Sequence, residues 1–458
     1  MDASLVNRIR YISTNSRQAG AGAPATVGFR DALFLGLAPD GGLFMPDALP
    51  SFDAAALAAF RGLSYADIAF EVLRPFTAGT LPEAELRRIC AEAYDFDVPL
   101  EEVVPGTYVM RLDRGPTASF KDFAARWMAR VMQALRPAGG RLTVLVATSG
   151  DTGGAVGHAF RGLEGVRVRL LYPAREVTPV QKHQMDALGQ NVRTVSVDGT
   201  FDQCQALVKQ AFLDPALAGL HLASANSINI GRILPQAVYY FYAWSRVARG
   251  GEAVTFSVPS GNFGNSFGGE LARRMGLPVE RLIVAVNEND EFPRFLGSGD
   301  YRPVVPSRAC LSNAMNVGNP SNLARYFAAY GGWITREGAV QAAPDLDAMR
   351  RRLCSVSVSD AETRACMRDV YCRLGVLLEP HGAVGWVALG KCAADRRGPA
   401  VCLETAHPAK FPEIVEEVLG LRPPVPPSLQ LSETAPGGAD EMPADYAVLK
   451  EYLYRHED

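Results

Sequence analysis

Two segments of this chain share one unusual order: a short β-branched run, a glycine-rich loop, then a helical stretch. Thr143 to Ala147 reads TVLVA and passes through Ala147-Thr148-Ser149-Gly150-Asp151-Thr152-Gly153-Gly154 into helical periodicity that lasts to Phe160. Ala253 to Val258 reads AVTFSV and passes through Pro259-Ser260-Gly261-Asn262-Phe263-Gly264-Asn265 into the helix-forming ELARRMG. Strand candidates at Val166–Tyr172 and Arg281–Val286 continue each series. Strands that alternate with helices predict right-handed βαβ units and parallel sheet. The helical stretch from Ile233 to Ala248 separates the two series, so the chain predicts two α/β lobes. Ahead of them, 54–76 and 81–94 carry helical periodicity, while 1–50 is rich in turn-forming Gly and Pro. The expected division is an N-terminal, mainly helical region over 1–100, a smaller α/β lobe over 101–240 and a larger one over 241–458.

Composition narrows the partners. With 48% hydrophobic residues and 458 positions, the chain can bury a large core, which excludes disordered and fibrous readings. Its net charge of −3, without blocks of like charge, leaves no footprint for nucleic acid. No apolar run approaches membrane-spanning length, and the first residues lack the apolar core of a secretory signal. The eight cysteines are scattered, with neither CxxC nor HExxH, so no metal site is expected. Unpaired cysteines acting as small buried hydrophobes suit a reducing compartment, and a soluble cytoplasmic protein is the expectation.

Both glycine-rich loops sit where open α/β sheets bind ligands, at the carboxyl end of a strand. Glycine admits close backbone approach, and the free N–H groups of the next helix attract anions. A tight βα turn that needs glycine only for packing is the alternative for either loop. Neither loop has the Lys-Ser/Thr pair of a nucleotide-phosphate loop. Ser149, Asp151 and His158 invite a hydrolase triad, but Ser149 lacks the G-x-S-x-G elbow. Gly20 to Ala25 loosely fits a dinucleotide fingerprint, yet no strand precedes it and Pro24 interrupts it. A third feature is Lys121, one of only six lysines, flanked by Phe120 and Phe123 at the start of a helix with a broad apolar face. Such a lysine either snorkels or is desolvated, and desolvation makes an amine nucleophilic towards a carbonyl. With two anion cradles, this suggests an aldehyde cofactor that carries a phosphate: pyridoxal phosphate (PLP).

Six motifs in order then tie the chain to a family. PTASFKDF, ATSGDTGGAV, SANSINIGRILPQ, PSGNFGN, LLEPHGAVGW and ETAHPAKF, with YISTNSR and DGGLFMP near the start, span nearly the whole chain. The chain resembles the threonine synthase family, within the tryptophan-synthase-β-like class of PLP enzymes. That resemblance implies a fold with PLP in a cleft between the two α/β lobes. It implies that Lys121 is the Schiff-base lysine and that Gly261, Asn262, Phe263, Gly264 and Asn265 cradle the cofactor phosphate. Thr405 falls on the hydroxyl that faces the pyridine nitrogen. Thr148, Ser149, Gly150, Asp151 and Thr152 fall on the loop that receives the substrate carboxylate. Asn226, Ser227, Asn229 and Arg232 fall on the segment assigned to the substrate phosphate. The implied reaction takes O-phospho-L-homoserine and water to L-threonine and phosphate, in a monomer or homodimer.

Several positions depart from the family text. The family commonly reads His-Gly-Pro-Thr-Leu-Ala-Phe-Lys-Asp where this chain has Arg114-Gly115-Pro116-Thr117-Ala118-Ser119-Phe120-Lys121-Asp122. Gly231 stands for Ser or Ala, Gly382 after His381 stands for Thr, and Asn15-Ser16 stands for Arg-Gly. These departures leave three readings besides hydration. They are elimination to 2-oxobutyrate, action on another γ- or β-substituted amino acid, and a non-catalytic ligand-binding relative.

Overall fold

In the computed structural model, the described residues are 8–16, 25–137, 139–430 and 438–456. The fingerprint-like stretch at Gly20–Pro24 lies outside them. In chain order the strands are β1 (Tyr11–Ser13), β2 (Phe44–Pro46), β3 (Leu100–Val104), β4 (Thr107–Arg111) and β5 (Leu142–Ala147). There follow β6 (Val166–Pro173), β7 (Val192–Asp198), β8 (Leu222–Ala223), β9 (Val254–Pro259) and β10 (Val279–Val286). The last five are β11 (Trp333–Ile334), β12 (Val340–Ala342), β13 (Leu353–Ser357), β14 (Ala400–Glu404) and β15 (Asp440–Pro443).

Two sheets organise the molecule. The smaller has the order β15-β7-β6-β5-β8 and is parallel throughout. The larger has the order β13-β10-β9-β14-β4-β3 and is parallel except for its antiparallel edge strand β3. Every residue of β5, β9 and β14 is buried, as expected when helices cover both faces of a parallel sheet. A short antiparallel pair, β1–β2, lies in the stretch read as turns. The helices Phe29–Leu35, Ala54–Ala59, Tyr65–Thr77 and Glu83–Ala93 complete the mainly helical N-terminal region.

The sheets do not follow contiguous thirds of the sequence. β4 falls in 101–240, and β3 straddles its start, but both pair into the larger sheet, β4 lying beside β14. β15 falls near the C-terminus but pairs with β7 of the smaller sheet, and the Tyr446–Arg455 helix packs there too. Local pattern identifies a strand without naming its neighbour, because pairing is decided by tertiary burial. The cysteines need one correction. Cys354 and Cys392, with Cα atoms 6.4 Å apart, form a disulfide that ties β13 to the end of the Pro380–Cys392 helix. Cys90, Cys204, Cys366 and Cys402 are buried free thiols, as expected.

The Lys121–Leu135 helix shows why the lysine is held in place. Phe123, Trp127, Met128 and Val131 are fully buried, and the Phe123 ring meets Tyr65, Phe96 and Tyr239 at centroid distances of 5.0–5.8 Å. That aromatic cluster fixes the helix against the N-terminal region and the Val238–Val247 helix, so its first residue has a rigid base.

Candidate active site

A cleft of about 390 Å³ opens between the carboxyl ends of β5 and β9. Lys121, Thr148, Ser149, Asp151, Thr152, Asn226, Ser227, Arg232 and Thr405 line it, as does the whole loop Gly261–Asn265. The separate motifs are thus gathered into one cavity.

The approach to Lys121 is a turn that Asp122 holds. Its buried carboxylate accepts from the Thr117 amide at 2.9 Å and the Thr117 hydroxyl at 2.6 Å. Lys121 Nζ lies 4.6 Å from the centre of the Phe120 ring and 3.7 Å from Asp151 Oδ2. Burial pushes its amine below the ordinary lysine value, against the opposing pull of Asp151.

After β5, the Thr148 hydroxyl accepts from the amides of Gly150 and Gly153 at 3.0 and 2.8 Å and fixes the start of the Asp151–Phe160 helix. The Ser149 and Thr152 hydroxyls face the cleft without a protein partner among the described residues. Asp151 is committed elsewhere. Its Oδ1 accepts from Lys410 Nζ at 2.6 Å and Gln181 Nε2 at 2.9 Å, and, against the opposing effect of burial, the charges of Lys410 and then Lys121 hold the carboxyl well below the usual range. Gly150 caps the helix and does not line the cleft.

After β9, the Gly264–Arg274 helix points its N-terminus into the cleft. Phe263 precedes it in the left-handed region, with φ of 60°, a conformation costing a non-glycine residue roughly 1–2 kcal/mol. Its ring, edge-on to Phe292 at 5.0 Å, keeps it there. Gly261 has no substitute, since a Cβ would come within 2.6 Å of the Ala314 carbonyl oxygen. Asn265 Oδ1 accepts from both Tyr239 and Tyr240 hydroxyls at 2.8 Å, while its buried Nδ2 has no partner.

Arg232 donates from Nη1 to the Ala225 carbonyl at 2.5 Å, and its buried Nε is unpartnered. Among the described residues it forms no ion pair with a carboxylate, and burial lowers it to about 10. Asn229 does not join it. Its amide donates to the Leu33 and Ser224 carbonyls, both at 2.8 Å, and its oxygen accepts from the Gly231 amide at 2.9 Å. Asn229 therefore holds the Asn226–Arg232 segment in shape from behind the cleft.

The likeness of the chain to known proteins runs over nearly its whole length. A model described as pyridoxal-phosphate dependent enzyme matches residues 98–403, threonine synthase N terminus matches 10–94, and threonine synthase C-terminal matches 382–453. The threonine synthase of Haemophilus influenzae is 40% identical over 434 residues, covering 94% of this chain and 97% of that protein. The chain belongs to the threonine synthase family. Among solved structures, the PLP-bound threonine synthase from Brucella melitensis superposes with a TM-score of 0.89 at 37% identity, covering 98% of this chain and 99% of that one. The Escherichia coli threonine synthase gives 0.86 at 37% identity, covering 98% and 100%.

The residues present fit the cofactor of that family. A helix N-terminus, an orphaned Asn265 amide and a loop whose Gly261 lines the cavity without a side chain suit a phosphate, and Lys121 supplies an amine in the same cavity. Thr405 borders the cavity, and its hydroxyl donates to Glu379 Oε1 at 3.4 Å.

Three of the departures from the threonine synthase text point away from the cleft. Arg114 is part-exposed and reaches towards Glu101 and Asp113, each at 3.7 Å. Gly231 backs onto Leu33, whose Cδ1 lies 2.4 Å from where a Cβ would stand. Gly382 makes room for Glu404. A Cβ there would sit 1.5 Å from Glu404 Oε2, and that carboxyl is fully buried and pushed up by burial and by Glu379. Only Asn15 borders the cleft, where its Oδ1 accepts from Trp333 Nε1 at 3.1 Å. Gly382→Thr is accordingly expected to cost about 2 kcal/mol or more of stability through overpacking, and Glu404→Ala should relieve much of it. Denaturant unfolding of the single and double variants measures this coupling.

Sequence reasoning missed three buried groups. Glu379 accepts from His381 Nδ1 at 2.5 Å and from the amides of His381 and Gly382 at 2.8 and 3.0 Å. Arg325, without an acidic partner, donates to the carbonyls of Phe44, Ser227 and Ile228 at 2.6–3.2 Å and so fixes Ser227 at the rim. Lys410 is the third. Glu379 and Lys410 stood inside quoted motifs, but a motif does not say which of its polar residues turn inwards. Near Arg325 no motif was read. His407 accepts from the Ala409 amide at 3.1 Å, and burial lowers it to about 4.

Proposed function

We propose that this cleft converts O-phospho-L-homoserine and water to L-threonine and phosphate, with Lys121 as the cofactor lysine and proton carrier. One observation carries the reading. Arg232 is a buried guanidinium with no carboxylate partner among the described residues and an unpartnered Nε, in the same cavity as Lys121 and the Gly264 helix terminus. The helix terminus suits the cofactor phosphate, and Arg232 then remains for a second anion, which a phosphorylated substrate brings.

The Ser149 and Thr152 hydroxyls and the amides opening their helix bind the substrate carboxylate. Asn226, Ser227 and Arg232 bind its phosphate. When bound, PLP supplies the electron sink that makes the substrate's Cα and Cβ protons acidic. Lys121 Nζ takes the proton from Cα and then one from Cβ. Arg232 stabilises the phosphate as its bond to Cγ breaks. Water adds at Cβ, protons return to Cγ and Cα, and threonine leaves. The buried amine, held below its ordinary value, suits this shuttling at neutral pH. The same reading places a monomer or homodimer in the cytoplasm.

The test offers O-phospho-L-homoserine to the PLP-loaded protein and resolves the products. Threonine and phosphate in equal amounts are expected. Phosphate with 2-oxobutyrate and ammonia would replace the hydration reading with elimination.

A further inference from the structure

Lys410 forms an ion pair that the steps above do not use. Its side chain is fully buried, and Nζ donates to Asp151 Oδ1 at 2.6 Å and to the Thr117 carbonyl at 3.0 Å. Lys410 ends the short turn after β14 of the larger sheet, whereas Asp151 opens a helix packed on the smaller one. The pair therefore bridges the two lobes beside the cleft.

Asp151's other oxygen faces Lys121 Nζ at 3.7 Å, beyond hydrogen-bond reach. The charged groups acting on Lys121 are Asp151, Lys410, Arg232 and Glu379. Glu379 is already saturated by His381, Gly382 and Thr405. One available carboxylate thus lies between two buried lysines, and it can serve as close counter-ion to only one. The contact at 2.6 Å goes to Lys410. A buried ammonium without its own counter-ion gives up its proton.

We propose that Lys410 is a positioning residue that keeps Asp151 as its own counter-ion and so leaves Lys121 as a free amine able to attack the cofactor's aldehyde. In that step the Lys121 nitrogen lone pair forms the new bond to the aldehyde carbon. The nitrogen's two protons and the aldehyde oxygen depart as water, which leaves a C=N bond. The inference rests on Lys121 being the cofactor lysine.

Apo-protein mixed with PLP at a series of pH values, quenched with borohydride and digested, gives the attachment rate and the site by mass spectrometry. In Lys410→Met, Asp151 is left to Lys121, and the rate profile is expected to move to higher pH. Attachment at neutral pH should fall about tenfold for each unit of displacement and recover in alkali. Asp151→Asn removes the anion and is expected to move the profile the opposite way, which keeps the test open if Lys410→Met folds poorly. Profiles with unmoved midpoints, or a loss that is uniform across pH, would overturn the proposal for Lys410 alone. Label on a peptide without Lys121 would instead overturn the assignment of the cofactor lysine.

Discussion

Lys121→Ala is expected to abolish the violet-edge absorption of the cofactor-loaded protein and to lower turnover by about 10⁴-fold. Lys209 also lines the cleft, but it stands on the Phe201–Leu213 helix, a different element from the Asp122-held turn that presents Lys121. Lys410 lies in the same region, but its Nζ is bound to Asp151 and the Thr117 carbonyl and has no exposure to the cleft. Lys121→Arg should be equally silent, because a guanidinium keeps its proton and cannot act as nucleophile or base. The fold should survive both changes, since the aromatic cluster at Phe123, not the amine, anchors the helix. Absorbance spectra, threonine formation and thermal unfolding on the same samples separate loss of chemistry from loss of structure.

Arg232→Ala is expected to lower kcat/KM by about 10²–10³-fold, or roughly 3–4 kcal/mol, by leaving a bound phosphate without its buried partner. Cofactor absorption should persist, because the Gly261–Asn265 loop and its helix terminus are untouched. Arg232→Lys should recover only part of the loss, since one ammonium cannot reproduce the planar fork. Because the phosphate is also the leaving group, kcat is expected to fall along with affinity. A rise in KM alone, at unchanged kcat, would mean that Arg232 holds the ground state and the departing phosphate equally.

Much of this site was legible because its backbone needs are local. A loop that turns at the end of a buried strand, presents amides and opens a helix must be written in consecutive residues, as at Thr148–Thr152 and Gly261–Asn265. The strands β5 and β9 were readable for the same reason: both faces are covered, so every residue is buried and neither strand carries a charge. What escaped was decided over long sequence distances. Lys410 meets an aspartate 259 positions away through two different sheets, and nothing in HPAKF distinguishes it from an exposed lysine. Asn229 shares a motif with Arg232, yet it turns to the Leu33 carbonyl, in the stretch expected only to form turns. Gly382, one of the departures that left the reaction open, proves to be a steric match to Glu404. Partner choice for β4, β15 and the two disulfide cysteines was hidden in the same way.

Mapping the borohydride-reduced, PLP-loaded protein tests the central claim most directly, because Lys121 and Lys209 line the cleft, Lys410 is buried beside it, and only one lysine can carry the cofactor. The account predicts a single modified peptide, with the label on Lys121. Label on Lys410, or no stable label after the cofactor has bound, would contradict it.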